Sequence, residues 1–504
     1  MPVSDLPFNS IVRIGLAAFL LACVTGIPTG VQSVMDAAKE RGVFSSRCHN
    51  ASEPAPCPAQ EHSLDITSDV MLSFLNSVSL LDGIIVDTLG GRHAIGVFVF
   101  IWTLGTSVSG IAASAGIMFG VGIFLAAWGA EGSFLSFLVF HLKQLCPDDA
   151  TYALFTSLFS GLWDVGVLVS IPAGAFLKIH SIPYWALYMA LGLCVGGGLV
   201  FYFVTFPKDR SVHSETQRDT AASTPPLRTS YEQHVGNDGE VSSADITRSM
   251  SEKCKHVFTD TFAIVKRLVK LRIFWAITGE TTATVTLGSF MFSTVGALVA
   301  WHGANPHQVD DAKSIFPYFR GIGGFLYFIP GMFVSQFGLH KGICVGLASQ
   351  IGVLIVICGL SLIGASVEGY SVYRSYVIFI LIVYWRGAGF SLANMTSMSV
   401  MRPDFGEDVG IVFGLAYTIG GVTSMAVGGF TTHLVDNDPS YFVGAFLVFG
   451  LLFIMSHSFL LFEVRRDGKK VAAAMGVLSD RSMSSGCPPR QQYDSDKPRV
   501  AEQI

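Results

Sequence analysis

The sequence predicts an all-α integral membrane protein of twelve transmembrane helices arranged as two six-helix bundles. Three observations predict it. Charged residues are only 14% of the 504 while hydrophobic ones are 51%, with 39 Phe and 53 Gly, and the mean hydropathy is +0.52. These values lie far from those of a water-soluble domain. Apolar runs of about 20 residues, the length a helix needs to cross ~30 Å of hydrocarbon, recur from end to end. One long polar stretch divides those runs into two sets. The net charge of −5 matters less than where the charges fall.

The first run spans 11–35. It continues past Pro28 to Val34 with no small-residue cleavage pattern after it, and so reads as a retained helix. The second, 67–86, ends at a glycine-rich turn. The third and fourth, 94–114 and 117–140, are nearly fused, with only Ser114 to Gly116 between them, but one unsplit run would exceed the length a single helix needs. The fifth is 151–174 and the sixth 183–206. Gly26 with Gly30, and Gly192 with Gly196, have the spacing that lets helices approach closely in lipid.

From Pro207 to His256 the chain is rich in Ser, Thr, Asp, Glu and Arg, the composition of a disordered linker. Phe258, Phe262, Val265 and Val269 then recur at helical spacing with Lys266, Arg267 and Lys270 between them. This fits an amphipathic helix on the membrane surface or an early start to the seventh span. The second set of runs lies at 273–300, 312–335, 341–364, 375–399, 409–433 and 441–462. The expected domains are a first bundle, 1–206, a cytoplasmic linker, 207–256, a second bundle, 257–462, and a cytoplasmic tail, 463–504.

Arg92, Lys208, Arg210, Lys341, Arg402, Arg465, Arg466, Lys469 and Lys470 fall on one side of this topology. Lys39, Arg41, Arg47, Lys178, Lys313 and Arg374 fall on the other. The positive-inside rule then places both termini in the cytoplasm. Residues 36–66 become an external loop carrying Cys48, Cys57 and a glycosylation sequon at Asn50, so an oxidising compartment allows a disulfide and a glycan there. The sequon at Asn394 falls at the inner end of a span and is discounted. The remaining cysteines lie in spans or on the inner side, where packing is their expected role rather than metal binding.

Between the second and third spans stand Gly83, Asp87, Gly90, Gly91 and Arg92. Their spacing resembles the loop motif of the major facilitator superfamily, G-x-x-x-D-x-x-G-R/G-R/K. Gly90 and Gly91 permit a tight reversal, Asp87 offers an acceptor and Arg92 anchors at headgroups. Gly331, Ser335, Gly338 and Lys341 repeat the spacing with an offset of 248 residues, as a carrier built from two related bundles would. Ser335 replaces the acidic residue. The resemblance implies that Asp87 meets the amino end of the eleventh helix, near Asp408 to Gly410, and helps to latch the inner side.

Several stretches look more specifically like solute carrier family 43, the sodium-independent amino acid transporters, and the related apicomplexan amino acid transporters. They are Gly42 to Phe44, Leu145 to Pro147, Phe159 to Asp164, Gly323 to Gly331, Arg386 to Ser391, and Phe405 to Leu415. Cys146-Pro147 departs from the family's Phe-Pro, and Glu131 stands where small residues are usual. The resemblance implies a carrier of amino acids that works by alternating access, as a uniporter or exchanger.

A charge in hydrocarbon costs at least ~2.5 kcal/mol on insertion scales, so ionisable residues inside spans are candidate site residues. At ~1.5 Å per residue, Asp164 lies roughly 20 Å into its span, Glu131 slightly closer to the inner face, and Arg386 roughly 15 Å from its outer start. Arg386 suits a substrate carboxylate, because a guanidinium pairs in a bidentate way and stays charged; a structural ion pair is the competing reading. Asp164 or Glu131 suits an ammonium group, and Glu131 also suits a proton. Gln32, Trp163 and Asn394 complete the expected substrate site, with packing as the alternative for each. Gly83, Asp87, Gly90, Arg92, Glu280, Gly331, Gly338 and Lys341 are the expected gating set. Asp82 is assigned to the same latch as Asp87, and Arg320 is expected to snorkel outward.

The expected partners are a small-molecule substrate, the lipid bilayer and cytoplasmic proteins that read the linker and tail, with no nucleic acid, no metal and no cofactor. The expected membrane is the plasma membrane, with an organelle membrane as the alternative. Carriage of a nucleobase, a monocarboxylate or another metabolite with proton coupling is the second reading. A non-transporting receptor or scaffold is the third. The chain carries no Gly-x-Ser-x-Gly, His-Glu-x-x-His or Walker loop, which argues against an enzyme or an ATP-driven pump.

Overall fold

The computed structural model describes residues 8–48, 57–111, 116–145, 149–169, 192–205, 259–301, 304–366, 408–438 and 440–484, together with 190 and 257. Among the described residues every regular element is helical. In the first half of the sequence these are α1 (Phe8–Thr29), α2 (Val31–Glu40), α3 (Pro58–Leu89), α4 (Gly91–Ile111), α5 (Gly116–Leu145), α6 (Asp149–Val165) and, after a π-helical turn at Gly192–Gly196, α7 (Gly197–Thr205). The second half contributes α8 (259–268), α9 (Arg272–Trp301), α10 (Pro306–Phe325), α11 (Phe328–Phe337), α12 (Leu339–Ser366), α13 (Val409–Thr423), α14 (Gly429–Asn437) and α15 (Tyr441–Ser484). A π-helical turn, Ser424–Gly428, joins α13 to α14.

Five described segments are long and apolar enough to cross a membrane: Gly91–Ile111, Gly116–Val139, Leu339–Val356, Val409–Val435 and Tyr441–Arg466. With α1, α3 and α9, at 22, 32 and 30 residues, they form the long members of the fold. The run expected to be one helix over 11–35 breaks at Gly30, two residues after Pro28, whose missing N–H removes a helical hydrogen bond. The run expected over 312–335 also breaks, at Leu326 and Tyr327, because Pro330 cannot donate to the carbonyl four residues back. A turn at 269–271 makes α8 a separate helix rather than an early start to α9. The twelfth run extends well past 462, since α15 reaches Ser484. The tenth run, 375–399, and the linker, 207–256, lie outside the described residues.

Neighbouring helices meet through glycine. Antiparallel α4 and α5 cross so closely that a Cβ at Gly105 or Gly122 would overlap backbone of the other helix. Small residues at such crossings let backbone dispersion replace a hydrophobic effect that lipid does not supply. The halves face one another along two seams, α3 against α13 and α6 against α10 and α11. A continuous core runs across them, joining Trp102, Phe98 and Phe159 of the first half to Phe274, Ile343 and Ile411 of the second. A second core belongs to α9 and α15 with α12, where Phe290 lies 5.1 Å from Phe449 and the His457 ring donates to the Ile343 carbonyl at 3.1 Å. Phe100, Phe201, Ile355 and Met455 point outward, as side chains on a lipid-facing surface do.

At one end Cys48 and Cys57 are joined by a disulfide, with Cα atoms 6.0 Å apart. Helix α3 starts directly after it with Pro58 in its first turn, a position that needs no N–H partner. The Gln60 amide donates to the Lys39 and Val43 carbonyls at 3.0 and 2.9 Å, tying α3 to the end of α2. Of the connection expected over 36–66, residues 36–40 belong to α2 and residues 58–66 to α3. Asn50 lies outside the described residues.

Candidate functional site

The repeated motif produces the same backbone twice. Helix α3 ends at Gly90 with φ +75° and ψ 148°, and α11 ends at Gly338 with φ +84° and ψ 160°. This region is essentially closed to residues with a Cβ. One turn before Gly90, the Asp87 carboxylate accepts the backbone N–H groups of Gly410 (3.3 Å) and Ile411 (2.7 Å). Those are first-turn N–H groups of α13, which lack intrahelical partners and carry the positive end of the helix dipole. A Cβ at Gly83 would overlap the Gly410 carbonyl, so glycine there permits the approach that Asp87 needs. Asp408, which caps α13, pairs with Arg267 of α8 at 2.6 Å.

The second copy uses the same surface without the acid. Gly331 packs on Ser157 and Leu154 of α6, and the Ser157 hydroxyl donates to the Tyr327 carbonyl. Lys341 places its ammonium 5.7 Å from the Phe337 ring centroid, and Arg92 is half-buried at the start of α4.

Farther along the α6 seam, Gly161 and Gly324 face each other so that a Cβ on either would overlap the carbonyl of the other. One turn on, Asp164 receives Arg320 Nε at 2.6 Å on one oxygen and the Tyr327 hydroxyl at 2.6 Å on the other. The Arg320 and Asp164 side chains are 20% and 13% exposed. Asp164 stands about 22 Å along α6 from Asp149, near the middle of a bilayer-spanning length. Trp163 meets the Phe134 ring edge-on at 5.3 Å.

The α3 seam carries a third polar group. Ser79 donates to Glu131 of α5, and Trp128 Nε1 donates to Asp82 at 2.7 Å. Tyr417 of α13 stands within electrostatic reach of Glu280, Glu131 and Asp164. Glu280, fully buried, accepts the Thr284 hydroxyl at 2.9 Å.

Tyr417 of α13 thus feels the charges of Asp164, Glu131 and Glu280, Trp163 packs on Phe134 of α5, and Gly83 and Asp87 meet the amino end of α13. Arg386 and Asn394 lie outside the described residues, as does the side chain of Gln32 on α2. Two expectations are corrected. Arg320 does not snorkel outward but turns inward to Asp164, because the carboxylate of the facing α6 offers it a partner. Asp82 is not in the Asp87 latch: five residues rotate a helix by about 140°, which turns Asp82 toward α5. Sequence reasoning missed Tyr327 and Tyr417 entirely, and it gave Arg320 no buried partner. Among the described residues no group of three or more His, Cys, Asp or Glu is placed to hold a metal.

Opposite charges thus meet across the facing halves at Asp164 and Arg320, and Asp87 ties the halves at the amino end of α13. Two solved structures are similar over nearly their whole length. One is described as the E. coli fucose:proton symporter FucP, in a single-site variant, with a TM-score of 0.54 and 14% identity over 90% of this chain and 98% of that one. The other is described as FucP, a major facilitator superfamily transporter, in the outward conformation, with a TM-score of 0.54 and 15% identity over 89% and 99%. A search of curated proteins returns no match. The Major Facilitator Superfamily itself matches residues 70–428, and the chain belongs to that family of multi-pass membrane transporters.

Proposed function

We propose that the protein carries an amino acid across its membrane by alternating access, as a uniporter or exchanger, with residues 1–206 and 257–462 as the rocking halves. The observation that carries this reading is the Asp164–Arg320–Tyr327 cluster. A free amino acid presents a carboxylate and an ammonium a few atoms apart, and the cluster offers a guanidinium and a carboxylate from opposite halves. A zwitterion entering there exchanges one inter-half ion pair for two substrate contacts. Binding therefore loosens the halves where they must separate. The likeness to amino acid transporters in the motifs of α6 and α10–α11 supports the same substrate class.

A panel of labelled amino acids offered to proteoliposomes of the full chain tests this. Saturable uptake of at least one is expected. Arg320→Gln, which loses a charged hydrogen bond of about 1.5–3 kcal/mol, should lower uptake about tenfold to hundredfold. Normal uptake in that variant removes Arg320 from the site, and no uptake of any member removes the substrate class. Carriage of another small metabolite is the second reading, favoured by the buried Glu131. The distribution of Lys and Arg supports cytoplasmic termini.

A further inference from the structure

Helix α8 carries charges and apolar groups that neither the ion pair nor the latch uses. Its inner side is fixed to the protein: Leu268 belongs to the core shared by the halves, and Ile264, Val265 and Leu271 pack against that core. Away from it, Phe262 is 71% exposed, and Val269 and Trp275, the latter in the first turn of α9, are 40% and 46% exposed. The Trp275 indole N–H donates to the Val269 carbonyl at 2.9 Å, which holds the ring against the turn between the two helices.

Beside these apolar groups stand Lys266, Lys270 and Arg272, all exposed. None of the three has a hydrogen-bond or ion-pair partner among the described residues. Lys266 follows Phe262 by four residues and so stands one turn along the same stripe. Arg267, turned about 100° from Lys266, leaves the stripe and pairs with Asp408 at 2.6 Å. The acid of α8, Asp260, lies about 160° around the helix from Phe262 and does not neutralise the stripe.

The place of α8 selects what covers that stripe. Only residues 269–271 separate it from α9, a helix of 30 residues, so it sits at the level where a spanning helix enters the bilayer. There, apolar and aromatic side chains reach the acyl boundary while Lys and Arg meet headgroups. A soluble anion would satisfy the cations and leave Phe262 and Val269 in water. An anionic bilayer surface satisfies both.

We propose that α8, its turn and the start of α9 form a docking surface for anionic phospholipid, with Lys266, Lys270 and Arg272 on headgroup phosphates and Phe262, Val269 and Trp275 in the acyl boundary. The surface is joined to the seam between the halves. Arg267 holds Asp408 at the amino end of α13, where Asp87 takes the Gly410 and Ile411 N–H groups. Lipid bound to α8 thus steadies the helix end that the latch uses. The proposal goes beyond the transport reading and does not depend on the solute carried.

Hydrogen exchange of the full chain tests it, in nanodiscs of phosphatidylcholine alone and of phosphatidylcholine with about 30% phosphatidylserine. Amides of residues 259–271 should exchange at least about fivefold more slowly in the anionic discs, the factor one engaged cation supplies near such a surface. The gain should vanish in the Lys266→Gln, Lys270→Gln, Arg272→Gln triple variant, whose unfolding temperature should match the wild type because these side chains have no partner to lose. Raising the salt from about 0.05 M to about 0.5 M should erase most of the gain in the wild type, an arm that needs no variant. Equal exchange in the two discs, protection that survives the triple substitution, or protection indifferent to salt overturns the proposal. Slower exchange on adding inorganic phosphate to neutral discs would mark a free-anion site and overturn it too. Faster exchange of the variant than of the wild type in neutral discs would make a segment of the chain itself, such as part of 207–256, the occupant, and is equally contrary.

Discussion

Asp87 and Asp164 both reach from one half of the chain to the other, but they are held by different chemistry. Asp87 satisfies two backbone N–H groups of α13, whereas Asp164 is held by side chains that a solute can replace. Asp87→Ala should strand those N–H groups at a cost of about 1–3 kcal/mol. Asp87→Asn keeps an acceptor and should lose less, and thermal unfolding in detergent separates the two. Equal losses would assign the interaction to charge alone. Asp87 and its partner were legible in the sequence, since a repeated motif marked the acid and the start of a span marked the N–H groups. Asp164 and Arg320 are 156 positions apart on different helices. No spacing rule connects such a pair, so depth in a span could be read for Asp164 but its partner could not.

At the scale of helices, breaks follow from proline and contacts from glycine. The break at Leu326 and Tyr327 brings the Tyr327 hydroxyl to Asp164, so the bend that Pro330 imposes also builds the central cluster. A run of apolar residues announces a span and hides its bend, which is why one straight helix was expected there. Glycines with similar sequence surroundings differ sharply in space. Gly161→Ala should destabilise, because its Cβ meets the Gly324 carbonyl, while nothing lies within 4 Å of a Cβ at Gly352. Gly352→Ala should be neutral or stabilising by up to about 1 kcal/mol from helix propensity. Unfolding temperatures of the two variants should move in opposite directions, and a shared direction would contradict the packing described for α6 and α10. Gly90→Ala should cost about 1–3 kcal/mol through its backbone angles alone.

Across the whole molecule, the all-helical membrane fold was legible because apolar runs recur along the chain and a loop motif repeats. The shared core was not, since Phe159, Phe274 and Ile411 read individually as ordinary span residues. The Cys48–Cys57 bridge, with a sequence separation of 9, closes a short loop whose chain-entropy contribution is about 2–3 kcal/mol. Reduction by a thiol, or Cys57→Ser, should lower the unfolding temperature, with the loss confined to the end carrying α2 and the start of α3. Hydrogen exchange at Gln60 and its neighbours would report that confinement, and protection unchanged on reduction would count against it.

Where Gly161 meets Gly324 and Gly83 meets Gly410, the halves touch through bare main chain rather than interlocking side chains. Interdigitated side chains act as gear teeth: turning one body against the other means lifting each knob from its hole. Main chain against main chain has no teeth. At these crossings the contacts behave as plain bearings, and the polar ties beside them are where a bound solute can act on the halves.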